Sequence, residues 1–117
     1  MGIRRIAVNL PTDTPAETAE FYTEVLGMQV VMDQAWIVMV ADPEHPARQL
    51  SLLASDATAQ MNPIASIEVD DVDQTYRSAL EAGAEIVYPI SDEEWGVRRF
   101  FLRDPAGNII NVLAHRG

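Results

Sequence analysis

Residues 93–115 read EEWGVRRFFLRDPAGNIINVLAH. Asp104 and Pro105 open a tight turn, Gly107 and Asn108 tolerate a left-handed backbone, and apolar runs flank the turn on both sides. This is a hairpin. A second proline-bearing turn, DPEHPA at 42–47, sits before QLSLLA just as the first sits before IINVLA. Upstream of each hairpin lies an alternating run, then a helical pattern, then a short apolar run. In the first half these are IRRIAVNL, TPAETAEFYTEVLG and MQVVMD; in the second they are PIASIEVD, DVDQTYRSALEAG and AEIVYP. The remaining strand candidates are AWIVMVA and RQLSLLA in the first half, VRRFFLR and NIINVLA in the second.

Boundary residues agree with this order. Thr14 with Glu17 forms a capping-box pattern, Pro15 suits a first helical turn, and Gly27 is placed to end the helix. Asp71 with Gln74 repeats the box, and Gly83 repeats the stop. In the first strand Ile6, Val8 and Leu10 alternate with Arg5, Ala7 and Asn9, which predicts that the first set is buried. In PIASIEVD the expected pair of faces is Ala65, Ile67 and Val69 against Ile64, Ser66 and Glu68. The chain thus reads as a βαβββ unit used twice: module one at about 1–54, a joint at about 55–62 and module two at about 63–117. The fold class is α+β. Two paired modules form a curved eight-stranded mixed sheet with both helices on one side, leaving a concave face that needs an occupant.

The chain has 117 residues, about one domain with one core. Its formal charge is −10 and every basic residue is arginine, a field that argues against nucleic acid and membrane surfaces and is compatible with a cationic ligand. Cysteine is absent, which removes thiol nucleophiles and cysteine-bound metal. No apolar run approaches the roughly 18 residues of a membrane span. MGIRRIAVNLPTD lacks a secretory pattern, so a cytoplasmic location is expected. There is no Gly-x-Ser-x-Gly elbow and no glycine-rich phosphate loop, which argues against a nucleophilic hydrolase and a nucleotide-binding protein.

FYTEVLGM after a strand, followed at the chain's end by DPAGNIINVLAH, resembles the glyoxalase, bleomycin-resistance and extradiol-dioxygenase superfamily, also called vicinal oxygen chelate proteins. The segment EEWGVRRFFLRDPAGN is most similar to the bleomycin-resistance branch. The resemblance implies a homodimer and a ligand site in the concave cleft. It also implies a divalent metal held by His, Glu or Gln from the first and last strand of each module. Here those positions fall on Ala7 (or Asn9), Ser51 with Gln49 beside it, Ile64 with Ser66 two places on, and Asn111. None of the four best-aligned residues is His, Asp or Glu, so neither a catalytic metal nor another cofactor is expected.

Strand parity sends Phe100 and Leu102 toward the helices, and Val97, Arg99, Phe101 and Arg103 toward the cleft. The expected ligand-binding set is Asn9, Trp36, Ser51, Ser66, Glu68, Trp95, Arg99, Phe101 and Asn111. Trp95 would stand at the mouth beside Gly96, while core packing is the stronger expectation for Trp36. A buried Arg99 should find Glu68, a ligand anion or another subunit; otherwise Arg99, as expected for Arg98 and Arg103, pairs at the surface with a nearby acid such as Asp92, Glu93 or Glu94. His45 belongs to a solvated loop and His115 to a frayed terminus. Glu68 is expected to pair with an arginine, and Glu68 and His115 are the weak catalytic candidates. The leading expectation is a metal-free small-molecule-binding dimer. The alternatives are a glyoxalase- or dioxygenase-type enzyme using Glu68, Asn111 and His115, and a module whose cleft is filled by its dimer partner.

Overall fold

Two aspartate-proline turns punctuate the chain in the same way. Asp42 Oδ1 accepts from the Glu44 N–H at 2.9 Å, and Asp104 Oδ1 accepts from the Ala106 N–H at 3.0 Å. Gly107 carries the left-handed backbone of the second turn (φ 91°), while Asn108, expected to share it, does not. Asn108 instead donates its backbone and side-chain N–H groups to Asp104.

The computed structural model describes residues 2–54 and 62–116; most of the expected joint lies outside the described residues. Its elements are β1 (Ile3–Pro11), α1 (Pro15–Leu26), β2 (Gln29–Asp33), β3 (Ile37–Ala41), β4 (Arg48–Leu53), β5 (Ala65–Val69), α2 (Val72–Glu81), β6 (Glu85–Asp92), β7 (Val97–Arg103) and β8 (Ile109–His115). The order is βαβββ twice, as the two turns imply. The eight strands hydrogen-bond in the order β2-β3-β4-β1-β5-β8-β7-β6, with β5 and β8 parallel and the β2–β3, β3–β4, β6–β7 and β7–β8 pairs antiparallel. The sheet is therefore mixed. No helix among the described residues is long and apolar enough to cross a membrane.

Two compact units emerge, one of residues 7–54 and 62, the other of residues 2–6 and 63–116. Each has its own apolar cluster where one was expected. In the first, Ala19 and Tyr22 of α1 pack on Val38, Val40, Leu50 and Leu52. In the second, Val72, Tyr76 and Ala79 of α2 pack on Ile67, Val69, Phe100, Leu102 and Val112, with the Tyr76 and Phe100 rings edge to face at 4.9 Å. Helix α1 packs on β2–β4, and α2 packs on β6–β8, with Ile67 and Val69 of β5 in the same cluster.

One strand departs in part from the expected faces. Ile6 and Val8, expected inside, are 48% and 45% exposed, whereas Ala7 is fully buried. Leu10, also expected inside, does pack with the α1 cluster. Helix starts also differ. Asp71 caps α2 by accepting from the Gln74 N–H at 3.0 Å. Thr14 occupies the N-cap of α1 without a side-chain cap bond, so the expected capping box does not form. Its own N–H donates to the Thr12 hydroxyl instead. Gly27 (φ 70°) ends α1 in the left-handed conformation, as expected.

Candidate functional site

In the second unit, α2 occupies one face of the strands, and alternation sends Ser66, Glu68, Arg99, Phe101, Asn111, Leu113 and His115 to the other. Register lines them up. Ser66 stands beside Asn111 and Asn111 beside Phe101; Glu68 stands beside Leu113 and Leu113 beside Arg99. Most of the sequence-predicted site residues of this half thus share one helix-free face.

Arg99 is 4% exposed, and it pairs with Glu93, one of the nearby acids open to it in the sequence. It donates to Glu93 through Nε at 2.7 Å and Nη2 at 2.6 Å. A four-residue turn makes this possible. The Gly96 N–H donates to the Glu93 carbonyl at 3.2 Å, the Glu93 N–H donates to the Val97 carbonyl at 2.8 Å, and Gly96 takes φ 89°. The chain thus reverses just before β7, placing Glu93 and Trp95 beside Arg99. Rings surround the guanidinium: Tyr88, Trp95 and Phe101, with centroids 5.3, 5.0 and 4.9 Å from its carbon. The Tyr88 hydroxyl also donates to Glu93, and Arg116 Nη2 donates to the Glu93 carbonyl at 2.7 Å. An arginine this deep needs a paired, hydrogen-bonded counter-charge, and the turn delivers one. Trp95, expected at a cleft mouth, is half-buried against Arg99.

A second group forms around Glu68. Arg5 of β1 donates from Nε to Glu68 Oε1, and His115 Nδ1 lies 3.0 Å from Oε2. The arginine partner expected for Glu68 is thus Arg5. Burial alone would push the Glu68 carboxyl up, but hydrogen bonds from Arg5 and His115 more than offset this and hold it below the usual glutamate range. His115, expected at a frayed end, is instead the last residue of β8, paired opposite Val97. Two residues along β8 from Leu113, Asn111 donates from Nδ2 to the Ser66 hydroxyl at 3.0 Å, while its buried Oδ1 has no hydrogen-bond partner among the described residues.

The other unit carries Asn9, Trp36 and Ser51 by itself. Ser51 is 2% exposed and stands opposite Met39; Trp36 precedes β3 and is half-buried. His45 lies exposed in its turn, where its N–H donates to the Asp42 carbonyl. The outer arginines behave as expected. Arg98 pairs with Asp92 and Asp73 at 3.1 and 3.0 Å, and Arg103 pairs with Glu85 at 3.3 Å.

A family model described as the glyoxalase/bleomycin resistance protein/dioxygenase superfamily matches residues 2–112. The chain belongs to this superfamily. Solved structures agree on the superfamily fold. An NAD-dependent benzaldehyde dehydrogenase structure from Legionella pneumophila is 20% identical at a TM-score of 0.75, with 95% of this chain and 99% of that one covered. A glyoxalase/bleomycin resistance protein/dioxygenase superfamily member from Vibrio splendidus 12B01 is 14% identical at 0.65, over 97% and 99%. A variant of Streptomyces coelicolor methylmalonyl-CoA epimerase, in complex with 2-nitronate-propionyl-CoA, is 18% identical at 0.66, over 98% and 97%. No curated protein matches the chain.

The divalent ion that the glyoxalase and dioxygenase members imply does not fit the donors present. Ala7 offers a methyl group and Ile64 a branched alkyl, the latter half exposed. Ser51 offers a buried hydroxyl, and Asn111 a neutral amide whose nitrogen is committed to Ser66. No charge in this set offsets the cost of stripping water from a cation. Among the described residues, no three His, Asp or Glu side chains gather as a metal-binding group.

Proposed function

We propose that this superfamily member is a metal-free, dimeric small-molecule-binding protein of the bleomycin-resistance kind, holding a planar or amphipathic organic ligand on the helix-free strand face. The observation that carries this reading is the donor set: methyl, hydroxyl, alkyl and amide groups stand where the superfamily's metal ligands are expected. The second unit adds support, because its face combines aromatic rings with a buried amide acceptor, Asn111 Oδ1, that lacks a partner among the described residues. The chain's charge of −10 favours a cationic ligand at long range. On the face itself, however, Arg99 cancels Glu93 and Arg5 cancels Glu68. That pairing favours a ligand of low net charge. Exposed apolar side chains, Val8 of β1 with Phe21 and Val25 of α1, support a dimer.

The direct test is native mass spectrometry of the protein as purified, followed by equilibrium binding of whatever co-purifies, with and without Trp95→Ala. The drug-binding version expects saturable binding of a bleomycin-type glycopeptide, and its absence removes that version. A second reading, an enzyme of the glyoxalase or dioxygenase type with an unorthodox site, draws on the Glu68–His115 hydrogen bond. Elemental analysis of protein purified without chelator separates the two. Stoichiometric Zn, Ni, Mn or Fe would overturn the metal-free reading.

A further inference from the structure

We propose that His115, oriented by Glu68, is a proton-accepting site for a weakly acidic hydroxyl, phenolic or enolic, on the ligand of the helix-free face; the inference rests on the ligand-binding reading above and names its ligand class.

The tautomer follows from the partner. An ionised carboxylate only accepts, so the Nδ1–H of His115 must be the donor in its 3.0 Å contact with Glu68 Oε2. In the neutral imidazole that leaves Nε2 with a lone pair and no proton. The His115 side chain is 56% exposed against 13% for Glu68, so the imidazole stands at the surface on a buried anionic support. No other contact of the His115 side chain is seen among the described residues.

The groups packed around it define the charge balance. From β5 comes Glu68, and from β1 comes Arg5, which shares the same carboxylate. From β7 the paired residue is Val97, which carries no charge. The neighbouring Arg116 turns away, to Asp92 at 3.9 Å and to the Glu93 carbonyl. Arg5 and Glu68 cancel, so protonating His115 adds one positive charge that an anion beside Nε2 would balance.

The chain's own field selects how that anion arrives. A ligand that is already anionic is repelled by a chain of net charge −10. A neutral hydroxyl approaches without that penalty and ionises in place. Its O–H bond breaks, the electron pair stays on oxygen and the proton passes to Nε2. Nothing is oxidised or reduced, and the step reverses on release. Glu68 is a positioning residue here; His115 makes the contact.

The test uses the full chain and 4-nitrophenol, whose neutral and ionised forms absorb at different wavelengths. Wild type is expected to bind the probe in its ionised form, with affinity that is bell-shaped in pH. It falls on the acid side, where the imidazole is already protonated, and on the alkaline side, where the free phenol is already ionised. His115→Gln is expected to weaken binding about tenfold and flatten the bell. Its exposure makes a folding defect easy to exclude by thermal unfolding. Glu68→Gln, which no longer fixes the tautomer through an acceptor-only carboxylate, is expected to lower the share of bound probe that absorbs in its ionised form, a readout that loss of packing alone would not shift. 4-Nitrobenzoate, anionic throughout, is expected to bind more weakly than 4-nitrophenol. If His115→Gln binds the probe with unchanged affinity and pH profile, the inference fails while the ligand-binding reading stands. If wild type shows no saturable binding of 4-nitrophenol, the inference also fails, and the broader reading is judged separately by the molecule that co-purifies.

Discussion

The two repeats place different chemistry at matching positions. Ser51 stands opposite Met39 in one unit as Asn111 stands opposite Phe101 in the other, and Ile37 stands opposite Leu53 as Arg99 stands opposite Leu113. In the first unit these positions are uncharged. In the second they carry a buried arginine inside three rings, flanked by a carboxylate–imidazole pair. The same backbone device therefore supports one uncharged set of positions and one charged set. The difference lies in a few side chains and in the four-residue turn ahead of β7.

The largest effect that would sharpen this contrast is Glu93→Ala. It removes the carboxylate paired with the buried Arg99 and should cost about 3–5 kcal/mol, read as a lower denaturant midpoint. Ile37→Val, at the position matching Arg99, should cost only about 0.5–1.5 kcal/mol. Equal losses would break the comparison. The helix-side cores should instead behave alike: Phe100→Ala is expected to cost about 3–5 kcal/mol and Leu52→Ala about 2–5 kcal/mol, since both side chains are fully buried. Helix caps give a smaller, asymmetric result. Asp71→Ala should cost about 1 kcal/mol, because its carboxylate caps α2, while Thr14→Ala should leave stability nearly unchanged, because no cap bond is lost.

The smallest effect is in acid. Glu68 is held below the usual glutamate range in the folded chain, so the stability it contributes is present above the unfolded value. That contribution is lost as pH falls through the depressed folded value. Glu68→Gln should therefore flatten part of the acid limb of the stability profile, measured by urea unfolding at a series of pH values. The uncharged face of the other unit, with Met39 and Ser51, offers no equivalent group.

Most of the architecture could be read from the chain because its signals are local. Two aspartate-proline turns, two helix-ending glycines and clean alternation in β5, β7 and β8 need no knowledge of neighbours. The faces of β1 could not be read this way. Alternation says that Ile6 and Val8 share a side but not which side is covered. Within the candidate site, parity correctly put Arg99, Phe101, Asn111 and Glu68 on one face. It does not choose between Glu93 and the cross-sheet partners, because strand parity looks across a sheet, whereas this partner arrives from six residues upstream, around a turn. The signal was present in Glu93-Glu94-Trp95-Gly96, a turn pattern with an acid at its start. His115 was discounted because of its place near the chain's end, although one further ladder pair holds it in β8.

The division of β1 between the two units also bears on biosynthesis. Arg5 and its carboxylate lie 63 residues apart in sequence, so this ion pair cannot close until the intervening chain and β5 have been made.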